Sequence, residues 1–106
     1  MAAYVPSRSP CPVGRASRVL GDRWVLLILR EALLGVDRFD GFLGRLGISR
    51  ATLTARLGWM VDAGVLRRAP PHAKYARYEL TEAGRALRPV VEALRDWGDA
   101  WAPRAE

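Results

Sequence analysis

Between residues 47 and 81 the order of breakers, caps and charge leaves few folds open. Gly47-Ile48-Ser49 ends one helix and caps the next, Gly64 closes that helix, two Arg- and Tyr-rich segments flank Pro70-Pro71, and Thr81 opens another helix. The proline pair forces a turn, so the two segments read as the strands of a hairpin with a loose tip. Short helix, turn, basic amphipathic helix and basic hairpin are the parts of a winged helix-turn-helix. The expected fold class is therefore α+β, mainly α, and the partner it points to is double-stranded DNA.

Composition narrows the alternatives. A chain of 106 residues has room for one domain and a modest core. Its longest apolar run, Trp24 to Leu29, is far too short to span a bilayer, and Met1 to Pro10 lacks the basic-then-apolar pattern of a signal peptide. No membrane association is expected, and a cytoplasmic location is the default. The net charge of +6 suits a polyanionic partner. Sixteen of the 17 basic residues are Arg, the side chain that reads phosphate and guanine through two parallel hydrogen bonds, though a GC-rich genome would encode the same bias. Position along the chain must carry the argument. One Cys and one His cannot build a zinc site, and no paired carboxylates or nucleophile elbow accompany His72 in the hairpin turn. Neither an enzyme nor a cofactor or metal is expected.

Residues 1–10 hold two of the seven prolines and read as a flexible arm that orders only on a partner, with the domain running over residues 11–106. Pro12 fits the first turn of a helix that reaches Leu20 and stops at Gly21. From Trp24 to Leu34 the chain reads as a second helix, with Trp24, Leu27, Ile28 and Ala32 as its buried stripe and Val25, Leu29 and Leu33 widening it. Asp37 is positioned to cap a short third helix in which Phe39, Phe42, Leu43 and Leu46 share a face. Ser49 caps the fourth, whose Leu53, Leu57, Met60 and Val61 face inward. Strands are expected at Val65 to Ala69 and Tyr75 to Leu80. A final helix runs from Thr81 through Trp101, bent at Pro89, with Ala83, Leu87, Val90, Val91, Leu94, Trp97 and Trp101 at helical spacing. That apolar face is too long for a small core to cover, so the first and last helices are expected to form a homodimer, the alternative being that Trp97 and Trp101 cover the monomer's own core.

The outward face of the fourth helix decides the functional reading. Ala51, Thr54, Ala55 and Gly58 lie away from its apolar stripe, small enough for close approach to a major groove, with Thr52 and Trp59 on one flank. Ser49, Arg50, Thr52 and Thr54 are the expected groove contacts, and Arg56 lies between the faces, within reach of a phosphate or an acidic neighbour. In the hairpin, Arg67, Arg68, Lys74 and Arg77 put four cations into eleven residues with no acid between them, a density suited to backbone or minor-groove contact. The rival reading is a winged-helix module that uses this surface to hold a protein.

Several segments resemble the HxlR-type family of winged helix-turn-helix regulators. They are Cys11-Pro12-Val13, Gly21-Asp22-Arg23-Trp24, Arg38-Phe39, Gly47-Ile48-Ser49 with Leu53-Thr54 and Leu57, Asp62-Ala63-Gly64-Val65 with Arg68, and Tyr78 through Gly84. The resemblance implies a cytoplasmic, homodimeric, bacterial-type transcriptional regulator, and we expect repression. Ala51, Gly58 and Trp59 stand where family members often carry polar or charged residues, so base preference does not carry over. Some members sense electrophiles or oxidants through the cysteine corresponding to Cys11. A thiol at a helix N-terminus near Arg8 and Arg15 suits a redox sensor, with a small buried spacer as the alternative. Trp24, Trp59, Trp97 and Trp101 are candidate contacts for a small aromatic effector, or for the dimer and core.

Overall fold

The computed structural model describes residues 4–105. Its elements in chain order are α1 (Pro12–Leu20), α2 (Arg23–Leu33), α3 (Phe39–Leu46), α4 (Arg50–Asp62), β1 (Leu66–Ala69), β2 (Arg77–Leu80), α5 (Glu82–Arg85) and α6 (Arg88–Trp101). The strands pair antiparallel as a two-stranded wing, so the architecture is mostly helical with one hairpin. None of these helices is long and apolar enough to cross a membrane.

The centre is α2, which packs against α1, α3, α4, α6 and β2. Its fully buried stripe is Val25, Ile28, Leu29 and Ala32. The expected stripe is thus rotated, because Trp24 and Leu27 are only half-buried while Val25 and Leu29 are at the centre. Phe42 from α3, Ile48 from the turn, Leu53, Leu57 and Met60 from α4, and Val65 and Leu66 from the wing base complete the core. Each such large side chain removed from water contributes about 1.5–3 kcal/mol. The inward face of α4 therefore holds it firmly on α2.

Three expectations about local structure are corrected. Asp37 does not cap α3, whose N-cap is Arg38 with no side-chain hydrogen bond. Instead the Asp37 carbonyl accepts the Tyr78 N–H at 2.7 Å and ties β2 to the α2–α3 turn. The last helix is not one bent rod. Thr81 caps the four-residue α5 by accepting the Gly84 N–H at 3.1 Å, the chain breaks at Ala86-Leu87, and Pro89 sits in the first turn of a separate α6, where its missing N–H costs nothing. Finally, residues 4–10 of the expected arm lie on their own domain, while 1–3 fall outside the described residues. The Tyr4 ring meets Trp59 edge-on at 5.0 Å between centroids, and Arg18 Nε donates to the Val5 carbonyl at 3.0 Å.

Geometry requires glycine at the turn into α4 and at the base of the wing. Gly47 adopts φ 62° in the turn from α3 to α4, a left-handed conformation that carries no penalty without a Cβ. A Cβ at Gly84 would collide with the Val65 carbonyl oxygen, so α5 can press on the wing base only because this residue lacks one. Thr81 locks the same place, its hydroxyl donating toward the Gly64 and Val65 carbonyls.

One charged residue lies inside this packing. Glu31 on α2 is only 2% exposed, and its carboxylate accepts hydrogen bonds from Arg30 Nε at 3.1 Å and from Arg45 Nε of α3. Burial alone would raise its pKa. The hydrogen bonds from Arg45 and Arg30, with their positive charge, outweigh that and hold the carboxyl below its usual range. Replacing Arg30 and Arg45 together by Ala strands a buried carboxylate and should cost about 3 kcal/mol in urea unfolding at pH 7. A carboxyl whose folded pKa is lowered stabilises fully above its unfolded value and loses that contribution as the pH falls through the folded one. Wild type should therefore lose stability on acidification more steeply than Glu31→Gln, and parallel acid profiles would refute this role.

Candidate nucleic-acid interface

Helix α4 is started by Ser49, whose Oγ accepts the Thr52 N–H at 3.2 Å and donates to Thr52 Oγ1 at 2.9 Å. With Leu53, Leu57 and Met60 buried, the opposite side presents Arg50, Ala51, Thr54 and Gly58 exposed, with Thr52 and Ala55 half-buried at the margin. The small outward face read from the sequence is present. Arg50 leans off it, its guanidinium 5.6 Å from the Phe39 ring and one nitrogen 3.9 Å from Asp40 Oδ1, both at the start of α3.

The middle of α4 is fixed to α2 and α1. Arg56 Nε donates to Asp22 Oδ2 at 3.1 Å, and its side chain is only 24% exposed. Of the two uses the sequence left for Arg56, the structure displays the acidic neighbour. Asp22 also caps α2, accepting the Trp24 N–H at 2.9 Å and the Val25 N–H at 3.1 Å through Oδ1. Burial would raise its pKa, but the Arg56 hydrogen bond, the two backbone N–H groups and the Arg56 charge hold it below the usual range. Trp59 secures the next turn: its Nε1 donates to the Val19 carbonyl at 3.3 Å, and the Arg18 guanidinium lies 5.1 Å over its ring.

Both strands of the wing begin later than expected, at Leu66 and Arg77 rather than Val65 and Tyr75, and end where expected, at Ala69 and Leu80. Its four cations are not equivalent. Arg67 sits directly across the ladder from Glu79 and pairs with it at 3.2 Å, so the sequence interval without acids conceals a cross-strand partner. Arg68 is half-buried, with Nη2 donating to the Ala73 carbonyl at 2.8 Å and the guanidinium 5.7 Å from the Tyr78 ring. It braces the hairpin tip from within. Lys74 and Arg77 are exposed, Lys74 beside the Tyr75 ring at 5.4 Å, and His72 is exposed between them and the proline turn.

The remaining candidates separate into two groups. Trp24 and Trp59 are half-buried with partners in their own chain, Arg23 lying 4.4 Å from the Trp24 ring. Trp97 and Trp101 are 62% and 73% exposed, in line with Val90 and Leu94, so they do not cover the core of this chain. Cys11 is exposed in the single chain, at the N-cap of α1. Its N–H donates to Ser9 Oγ at 3.1 Å, while Arg15 Nη1 donates to the Ser9 carbonyl.

Sequence reasoning missed Asp22, Glu31 and Arg38. Asp22 had a usable signal, an Asp immediately before an apolar helical run. Arg38 appeared only within the family-like pair Arg38-Phe39, and Glu31 had no signal, since their partners Tyr75 and Arg45 are 37 and 14 residues away. Because Asp22 serves two helices, Asp22→Ala should cost about 1–2 kcal/mol in chemical denaturation. Arg56→Ala, which spares the cap, should cost less. Equal losses would mean that the cap contributes little.

Comparison with known proteins follows the same line. The HxlR-like helix-turn-helix family model matches residues 19–106. The chain is 48% identical over 96 residues to the HTH-type transcriptional regulator Rv3095 of Mycobacterium tuberculosis, covering 89% of this chain and 61% of that protein. It thus spans about three fifths of the length of this relative. Among solved structures, PA1607, described as a candidate transcription factor, superposes with a TM-score of 0.86 at 38% identity, over 93% of this chain and 70% of that one. The redox regulator HypR in its reduced form superposes with a TM-score of 0.75 at 29% identity, over 85% and 92% of the two chains. Fold, motif order and sequence agree, and the chain belongs to the HxlR-like helix-turn-helix family.

Proposed function

We propose that the protein is a sequence-specific DNA-binding transcriptional regulator that works as a homodimer, with repression by occlusion of promoter DNA as its mode. The observation that carries this reading is the outward face of α4, where Ala51, Thr54 and Gly58 are exposed beside a wing bearing Arg67, Lys74 and Arg77. In this reading α4 enters the major groove by its N-terminal turn, with Ser49, Thr52 and Thr54 nearest the base edges. The wing lies along the flanking backbone or minor groove. A face of small residues makes few base contacts, so DNA shape contributes much of the specificity.

Dimerisation is supported by the apolar stripe of α6, where Val90, Leu94, Trp97 and Trp101 stand exposed, with Val13 exposed on α1. A second copy would bury that stripe. Selection from random duplexes should return two related half-sites centred about 34–36 Å apart or a multiple of that. The affinity should fall steeply with salt. Trp97→Ser/Trp101→Ser should sediment as a monomer and lose operator affinity. Salt-independent binding with no preferred duplex would instead identify a protein-interaction module.

Redox input through Cys11 is the regulatory part of the proposal. It is supported by the exposure of Cys11 at the start of α1 and by the likeness to HypR, named as a redox regulator. As the sole cysteine in the sequence, Cys11 must form any disulfide with a second copy or with a small thiol. Diamide should weaken operator binding by wild type and leave Cys11→Ser unchanged. Identical responses would remove Cys11 as the sensor.

A further inference from the structure

Between the N-terminal ends of α3 and α4 and the wing lies a cleft of about 720 Å³. Arg38, Arg50, Arg68 and Lys74 line it, so four cations from different elements converge on one space whose walls include three aromatic rings, Phe39, Tyr75 and Tyr78. Asp40 is the acid among the lining residues, its side chain 86% exposed. The arrangement is built rather than incidental. Arg38 Nη1 donates to the Tyr75 carbonyl at 2.8 Å, which pins the wing loop to the start of α3, and Arg38 lines the cleft. Arg68 holds the far wall through the Ala73 carbonyl. Arg50 has left the outward face of α4 and turned toward the same space, over Phe39.

If α4 occupies a major groove and the wing lies over the adjoining minor groove, one sugar–phosphate strand must pass between them. The cleft lies between those two elements. Its opening is cationic, and its walls are aromatic surfaces against which sugars can rest. We propose that this cleft seats the phosphodiester strand separating the two grooves, with Arg38, Arg50 and Lys74 as its charge contacts and Phe39 and Tyr75 as its walls. Arg38 becomes a DNA-contacting residue, and Arg50 contacts backbone rather than reading a base. Guanidinium suits this task because its fork can bond a phosphate while keeping a second bond to protein.

This inference rests on the proposed DNA-binding function, and the two fail differently. If wild type shows no duplex preference and no salt dependence, the function itself fails before any variant is made. Given a wild type that prefers its operator, Arg38→Ala should weaken binding to operator and to an unrelated duplex by the same factor. The slope of log K against log salt should become shallower by about 0.9, so that the loss between 50 and 200 mM salt shrinks about three- to fourfold. Arg38→Lys, which keeps the charge, should restore most of the slope. Arg50→Ala should behave as Arg38→Ala does and leave the preferred sequence unchanged.

A loss confined to the operator with an unchanged slope would overturn the assignment, as would a change of preferred base in Arg50→Ala. A second measurement guards against a wing loosened by loss of the Tyr75 contact. One neutral methylphosphonate is placed in turn at each linkage between the major-groove half-site and the flanking minor groove. At one of them wild type should lose affinity and Arg38→Ala should lose none further. Additive losses at every linkage would show that the strand lies elsewhere.

Discussion

Carboxylates at the two ends of α2 hold the helix pair that follows it. At its N-terminus Asp22 accepts two backbone N–H groups and an Arg56 hydrogen bond from α4, and near its C-terminus Glu31 accepts from Arg45 of α3 and from Arg30 beside it. The two sites differ in energetics. Asp22 lies where the helix dipole favours an anion, whereas Glu31 sits in the last turn, where it does not, and is nearly removed from water. Only its two guanidinium partners make the charge tolerable there. Hydrophobic burial of Ile28, Leu29, Phe42, Leu53 and Leu57 supplies most of the cohesion but is indifferent to small sliding. The directional contacts at the two ends of α2 fix how α3 and α4 sit on it.

The wing needs the same help, because a two-stranded hairpin is at best marginal alone in water. Its base is held by Thr81 against Gly64 and Val65, its outer strand by the Asp37 carbonyl, and its loop by Arg38. These holding groups lie before α4 or after β2 in the chain, and the wing is clamped at its base, edge and tip. Within it the cations divide by role. Arg67, though exposed, is offset by Glu79 and Arg68 is spent on bracing, so the positive charge of the hairpin rests mainly on Lys74 and Arg77. A cation count along the sequence therefore overstates what the wing can offer a polyanion, and under the proposed strand contact Arg38 and Arg50 make up part of the difference.

What was legible in the sequence was local. Ser49 and Thr81 as caps, Gly47 as a left-handed stop, the inward Leu53, Leu57 and Met60 and the outward small face of α4 all follow from spacing and backbone preference. What was illegible depended on partners distant in sequence. An all-round apolar α2 gives no phase, so its buried stripe could not be chosen until α3, α4 and α6 were placed around it. Asp37 has the right chemistry for a cap, but its carbonyl is drawn to Tyr78 by the returning strand. Pro89 carries two meanings, a bend or a new start, and the break at Ala86-Leu87 selects the second. Arg56 shows the same limit at the candidate site, since a residue between two helix faces is assigned only when its neighbour Asp22 is known.

The uncovered stripe of α6 bears on the recognition surface through α2. α6 is joined to the domain by Leu87 and Val91 against the core and by Arg88 Nη2 donating to the Leu33 carbonyl at 3.2 Å, all on the flank of α2. The opposite end of α2 carries Asp22 and through it Arg56 of α4. A second copy packed on α6 would therefore set the separation of two α4 helices through α2, an 11-residue rod gripped by directional contacts at both ends. In such an assembly the spacing of half-sites on DNA follows from how two α6 helices pack, while the bases read within each half-site follow from α4. A substitution on α6 that shifts the packing without abolishing it would then change spacing and leave half-site sequence alone, which separates the two sources of specificity at the level of residues.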